Sequence, residues 1–234
     1  DCDSRSLPGD GMEQSARIHS DVVLELEDTK LDAVLSIPPE ARAVVLLAHG
    51  SGSSRHSTRN ALVARALHAA GLATLLVDLL TAEEQARDER TGLLRFDIEL
   101  LSVRVQAGSE WLSGQPATSA LPLGYFGAST GAAAALHAAA ERPLVFAIVS
   151  RGVRPVLARD ALRHVKAPTL FLVGGADVPI LPLNREAAAL LGHGSRITVI
   201  PDATHLFEEP GAMDAVARYT REWFVEHLPP AGEH

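Results

Sequence analysis

The chain has 234 residues and one cysteine, Cys2, which excludes an intramolecular disulfide and a cysteine-built metal site. Apolar residues make up 47 % and charged residues 21 %, a balance that supports a core with no covalent staple, and no apolar run approaches the roughly 18 residues of a membrane span. A formal net charge of −8 argues against a nucleic-acid partner, which needs a clustered basic face.

Residues 1–15, DCDSRSLPGDGMEQS, are polar and aperiodic and are expected to form a flexible leader, with Cys2 a terminal thiol. One domain is expected over 16–234. The chain opens on Asp1 rather than Met, so its start is read as processed or trimmed. A cytoplasmic location, as for a soluble bacterial enzyme, is the expectation, with secretion left open. Residues 17–26 and 31–37 are β-like and separated by EDTK, which predicts an antiparallel hairpin ended by Pro38 and Pro39.

A different rhythm follows. Apolar runs of strand length occupy 43–48, 73–78, 121–126, 144–149, 169–174 and 196–201. Helix-like segments alternate with them at about 58–70, 93–113, 130–141, 155–163, 182–191 and 210–227. Continuous rather than alternating apolar runs suit strands buried on both faces of a parallel sheet. The repeated alternation predicts an α/β fold: one mostly parallel sheet of about eight strands, with helices on both faces and the antiparallel hairpin at its start. Function in such sheets collects at the carboxyl ends of the strands. A serine, an aspartate and a histidine occur there in that order.

Gly127-Ala128-Ser129-Thr130-Gly131 fits G-x-S-x-G between a strand-like run and an Ala-rich helix-like run. A sharp turn there exposes the serine hydroxyl above the sheet and leaves no room for side chains at the flanking glycines. A serine hydroxyl needs a base, and the base needs an orienting acid. His205 follows the last predicted strand, and Asp177 follows the strand 169–174, so the candidate triad is Ser129, Asp177 and His205. Asp78, also at a strand end, is the rival acid, while Asp202 is read as a turn residue. Of the ten histidines, His68, His137, His193 and His227 fall on or beside helix-like segments, away from strand ends.

Acyl transfer also needs two backbone N–H groups aimed at a developing oxyanion. Thr130 supplies one by its position after the serine. The loop after strand 43–48, AHGSGSSRHS, supplies the other, with Ser51 favoured and Gly52 the runner-up. His49, Gly50 and Gly52 are candidate pocket residues. That glycine-rich loop could instead cradle a phosphate, but it fits neither G-x-x-x-x-G-K-[ST] nor a dinucleotide fingerprint.

The stretches HGSGSS, GYFGASTG, LVGGAD and ATHLFEEPG resemble those of the α/β-hydrolase superfamily over nearly the whole chain, and within it the small dienelactone-hydrolase-like esterases. The resemblance implies the Ser129–Asp177–His205 triad, an acyl-enzyme route, and no metal or cofactor. Dienelactone hydrolases proper carry cysteine at the nucleophile position. Ser129 departs from that pattern and favours ordinary small acyl or aryl esters over the lactone ring. The alternatives are an acyltransferase or perhydrolase, a lactone hydrolase with the same triad, or a non-catalytic scaffold that binds a ligand or partner. The expected partner is a small-molecule ester, for a monomer or homodimer.

Residues 150–168 leave space for one short helix between strands, so no cap domain is expected and the pocket should be open. Residues 80–97, LTAEEQARDERTGLLRFD, read as a solvated helix or loop, with a flap over the pocket as the sharper alternative. Arg151, at a strand end, is a candidate contact for a substrate carboxylate or a salt-bridge partner for Asp78 or for the 80–97 segment.

Overall fold

The computed structural model describes residues 18–230 except 143 and 193. The leader, Cys2 and His193 lie outside the described residues. Strands β1 (Ile18–Glu25) and β2 (Lys30–Ile37) form the expected hairpin, Ile18 opposite Ile37 and Glu25 opposite Lys30. In β2, Leu31, Ala33 and Leu35 alternate inward while Lys30 and Asp32 face water, the period-two pattern of a half-buried strand.

Strands β3 (Ala43–Ala48) and β4 (Leu72–Val77) are buried along their whole length, as is β7 (Thr169–Gly174). Together with β5 (Leu123–Ala128), β6 (Val145–Arg151) and β8 (Ser195–Ile200) they run parallel. The eight strands are ordered β1-β2-β4-β3-β5-β6-β7-β8, with β2 antiparallel to both of its neighbours, β1 and β4, at one edge. The β5 and β6 boundaries lie one or two residues later than the apolar runs suggest, because Gly127, Ala128, Ser150 and Arg151 continue the ladder.

Helices cover both faces. α1 (Thr58–His68) and α7 (Ala212–Glu226) close one side through Val63, Leu67, Val216 and Phe224. α3 (Ile98–Gly114), α4 (Thr130–Glu141) and α6 (Ile180–Leu191) close the other. Every residue of α4 from Thr130 to Leu136 is buried, so its alanines, small and strongly helix-forming, let it lie close to the sheet. Between β6 and β7 there is only a 3₁₀ turn, Pro155–Ala158, and a single-turn helix, α5 (Arg159–Leu162), so the described residues include no cap.

The expected helix at 93–113 begins later, at Ile98, after a 3₁₀ turn at Leu94–Phe96. Ahead of it the polar segment forms its own helix, α2 (Ala82–Thr91). Thr81 and Glu84 make a capping box at its start, and Gly92 at φ 65 ends it. The segment is tied down as well as solvated. Asp88 is buried and accepts from Arg95 Nε at 2.6 Å, and Arg104 of α3 donates to Glu84 at 2.9 Å. These ties anchor the helix to α3 and to the turn ahead of it.

Phe224 lies wholly buried under β5, edge-on to Phe146 at 5.7 Å between ring centres, where the absence of a side chain at Gly124 makes room. Phe224→Ala is expected to lower stability by about 3–5 kcal/mol, read as a fall in the urea midpoint at unchanged slope.

Candidate active site

Ser129 joins β5 to α4 with φ 51 and ψ −114, a left-handed backbone that non-glycine residues rarely adopt. Its N–H donates to the Arg151 carbonyl at 2.9 Å, and its own carbonyl accepts from Ala132 at 3.1 Å. The turn is possible because its neighbours are small. A Cβ on Gly127 would run into the backbone of Ala132, and one on Gly131 into the carbonyl oxygens of Ala48 and His49.

The hydroxyl of Ser129 lies 3.3 Å from Nε2 of His205, and Nδ1 of His205 lies 2.8 Å from Oδ2 of Asp177. Asp177 follows β7 and His205 follows β8, so three strand-end turns deliver the three groups to one edge of the sheet. The imidazole is 30 % exposed and the carboxylate 11 %. A hydroxyl, an imidazole and a screened carboxylate in series can move a proton off the hydroxyl while holding the ring in one tautomer. Asp202 adopts φ 57 in a turn, as read from the sequence.

The β3–α1 loop comes up beside Ser129. A Cβ on Gly50 would stand 3.3 Å from that of Ser129. Thr130 is 3 % exposed, and among the described residues neither its N–H nor that of Ser51 has an acceptor, in keeping with donors held ready for a ligand. Gly50, Ser51, Gly52 and Thr130 line one narrow cleft.

His49 borders the cleft, as expected of a pocket residue, and is only 6 % exposed. Its Nδ1–H donates to the Gly50 carbonyl at 2.9 Å, and its Nε2 accepts from the Leu79 N–H at 3.0 Å. Those two bonds suit a neutral ring, and burial lowers its pKa, outweighing the Gly50 bond and the nearby Asp78 charge, which raise it. The Gly50 carbonyl also accepts from Ser53 N–H at 3.2 Å. In a trans peptide, anchoring that oxygen turns the Ser51 N–H to the opposite side. His49 therefore acts as a support for the loop.

Arg151 is 7 % exposed, and its guanidinium packs 5.5 Å over the Phe207 ring with Nη1 3.2 Å from the Met213 sulfur. Burial, with the nearby Arg59 charge, lowers its pKa to about 10. The salt bridge to Asp78 is not formed, because Arg55 takes that carboxylate through both its backbone N–H, at 2.5 Å, and its guanidinium. Arg55 stands within the quoted loop, and its charge near a strand-end acid was the sequence signal for this pair. Among the described residues, no group of three or more His, Cys, Asp or Glu side chains could hold a metal ion.

The dienelactone hydrolase family model matches residues 31–225. The chain belongs to the dienelactone hydrolase family. The family's fold is that of the α/β hydrolases. The crystal structure of a dienelactone hydrolase from Anabaena variabilis is 54 % identical, with a TM-score of 0.88 over 91 % of this chain and 99 % of that one. Est1E from Butyrivibrio proteoclasticus, at 16 % identity, shares the fold with a TM-score of 0.75 over 89 % of this chain and 98 % of its own. A Mycobacterium tuberculosis protein named "Putative phosphoribosyl transferase" is 55 % identical over 195 residues, 83 % of this chain. The match spans 43 % of that relative's length. Among the described residues, no helix is long and apolar enough to cross a membrane.

The neutral His49 gives a pH signature. Its folded-state pKa lies below the ordinary value of about 6.5, so its contribution to stability is complete above that pH and is lost as pH falls below it. The drop in denaturation midpoint between pH 8 and pH 5 is expected to be smaller in His49→Gln than in the wild type. Equal drops would show that His49 is not held neutral.

Proposed function

We propose that the chain is a serine esterase that cleaves small carboxylic esters through an acyl-enzyme. The observation that carries this reading is the series Ser129 Oγ, His205, Asp177 at 3.3 and 2.8 Å, assembled from three separate strand ends. Ser129 Oγ attacks the ester carbonyl while His205 Nε2 takes its proton. The carbonyl oxygen becomes an oxyanion and accepts from the N–H groups of Ser51 and Thr130. As the tetrahedral intermediate collapses, His205 returns the proton to the leaving alcohol. His205 then takes a proton from water, whose oxygen attacks the acyl carbon, and as this second intermediate collapses His205 returns that proton to Ser129 Oγ, freeing the carboxylic acid. Asp177 accepts from Nδ1–H throughout and steadies the imidazolium.

The phosphoribosyl transferase named among the relatives is more than twice as long as the matched region, and the dienelactone hydrolase family match falls within this chain. An acyl-transfer reading of these residues therefore fits better than a phosphoribosyl-transfer one. With Ser129 in place of cysteine, ordinary oxygen esters are the expected substrates.

Ser129→Ala is expected to reduce kcat for p-nitrophenyl acetate by about 10⁶-fold with the fold intact by circular dichroism. Turnover within about tenfold of wild type would remove Ser129 from the chemistry.

A further inference from the structure

A second cavity, of about 660 Å³, lies beyond the β3–α1 loop. Its walls come from β2, the Ser53–Ser57 stretch, the end of β4 and the first turns of α2. Only Leu80 and Ala82 present apolar side chains to it, which disfavours an alkyl or aryl occupant. The two permanent cations in the wall are already paired, Lys30 with Glu25 at 2.7 Å and Arg55 with Asp78 and Asp32, so an anionic occupant finds no free countercharge there. By contrast, the side chains of Ser53, Glu83 and Gln85 make no hydrogen bond among the described residues, and the Arg55 Nε–H is buried without an acceptor. A wall of unpaired donors and acceptors with its permanent cations neutralised suits hydroxyl groups.

The cavity adjoins the cleft beside the reacting centre. Leu80, Gln85, His49 and Gly52 line both it and the narrow cleft that reaches Ser51 and Thr130. The sheet order sets which half of an ester can enter. β3, β4 and β2 lie on one side of β5, and β6, β7 and β8, with Asp177 and His205 at their ends, lie on the other. His205 must protonate the leaving oxygen, so the alcohol leaves on that second side, away from the cavity.

We propose that this cavity receives the acyl half of the substrate, and that this half is a short, neutral, polyhydroxylated chain. The inference rests on the esterase reading above, and Gln85 and Ser53 are its polar contacts.

The test measures kcat/KM by methanol release, corrected for enzyme-free loss, for methyl gluconate and methyl hexanoate, which share a six-carbon acyl chain. Glycerol monoacetate and propyl acetate form the alcohol arm, and p-nitrophenyl acetate reports basic esterase chemistry. Methyl gluconate is expected to exceed methyl hexanoate by at least about tenfold, the scale of two hydrogen bonds. Gln85→Leu is expected to cut that ratio about fivefold, and Ser53→Ala to lower it in the same direction. Turnover of p-nitrophenyl acetate with methyl hexanoate preferred would overturn the subsite and leave the esterase standing. A preference for glycerol monoacetate over propyl acetate without an acyl preference would overturn the acyl assignment. Failure to turn over any of the five esters would sink both readings.

Discussion

At Ser129 the chain passes from strand to helix within one residue, at φ 51 and ψ −114, a backbone region that costs a non-glycine side chain on the order of 1–3 kcal/mol. That strain persists because the surroundings leave no alternative. β5 is held on both sides by β3 and β6, and α4 is pressed to the sheet by a row of buried alanines. The same turn projects the hydroxyl toward His205, leaves the Thr130 N–H without a helical acceptor, and brings Gly50 within contact of Ser129.

Around that turn the polar groups divide into two sets. Asp177 and His205 approach from the β7 and β8 ends and face solvent in part, where a substrate can reach the ring. His49, Asp78 and Arg55 stand on the β3 and β4 side and hold a loop. His49 anchors the Gly50 carbonyl, and Arg55 bonds Asp78 through backbone and side chain. A neutral ring and a paired carboxylate there keep stray charge away from the proposed oxyanion donors, while the loop they hold supplies one of those donors. On the opposite flank, Arg151 packs its cation against Phe207, in the loop that carries His205, and Met213, in the first turn of α7, and so ties that loop to the helix.

Much of this was legible in the sequence because burial and turn chemistry leave local marks. Unbroken apolar runs such as AVVLLA and TLFLVG suit strands covered on both faces, and G-x-S-x-G between such a run and an alanine helix places the turn. Asp177 and His205 followed from the rule that parallel sheets gather chemistry at their carboxyl ends. The less legible features depend on contacts between segments distant in the chain. AEEQARDERT has no apolar stripe, so its helix is visible only through the Thr81–Glu84 box and the burial of Asp88 against Arg95. The role of His49 depends on Leu79, thirty positions away in sequence, and that of Arg151 on Met213, sixty-two away. Nothing in the local pattern separates an arginine that meets a substrate from one that packs beneath a loop.

The central claim is a covalent bond between Ser129 and the acyl group of an ester. Mass spectrometry of the protein quenched during turnover of p-nitrophenyl acetate tests it most directly. The account predicts a single acetyl adduct on the peptide that contains Ser129, absent when His205 is replaced by Ala. Sustained release of p-nitrophenol with no adduct on that peptide, or with the acetyl group on another residue, would contradict it.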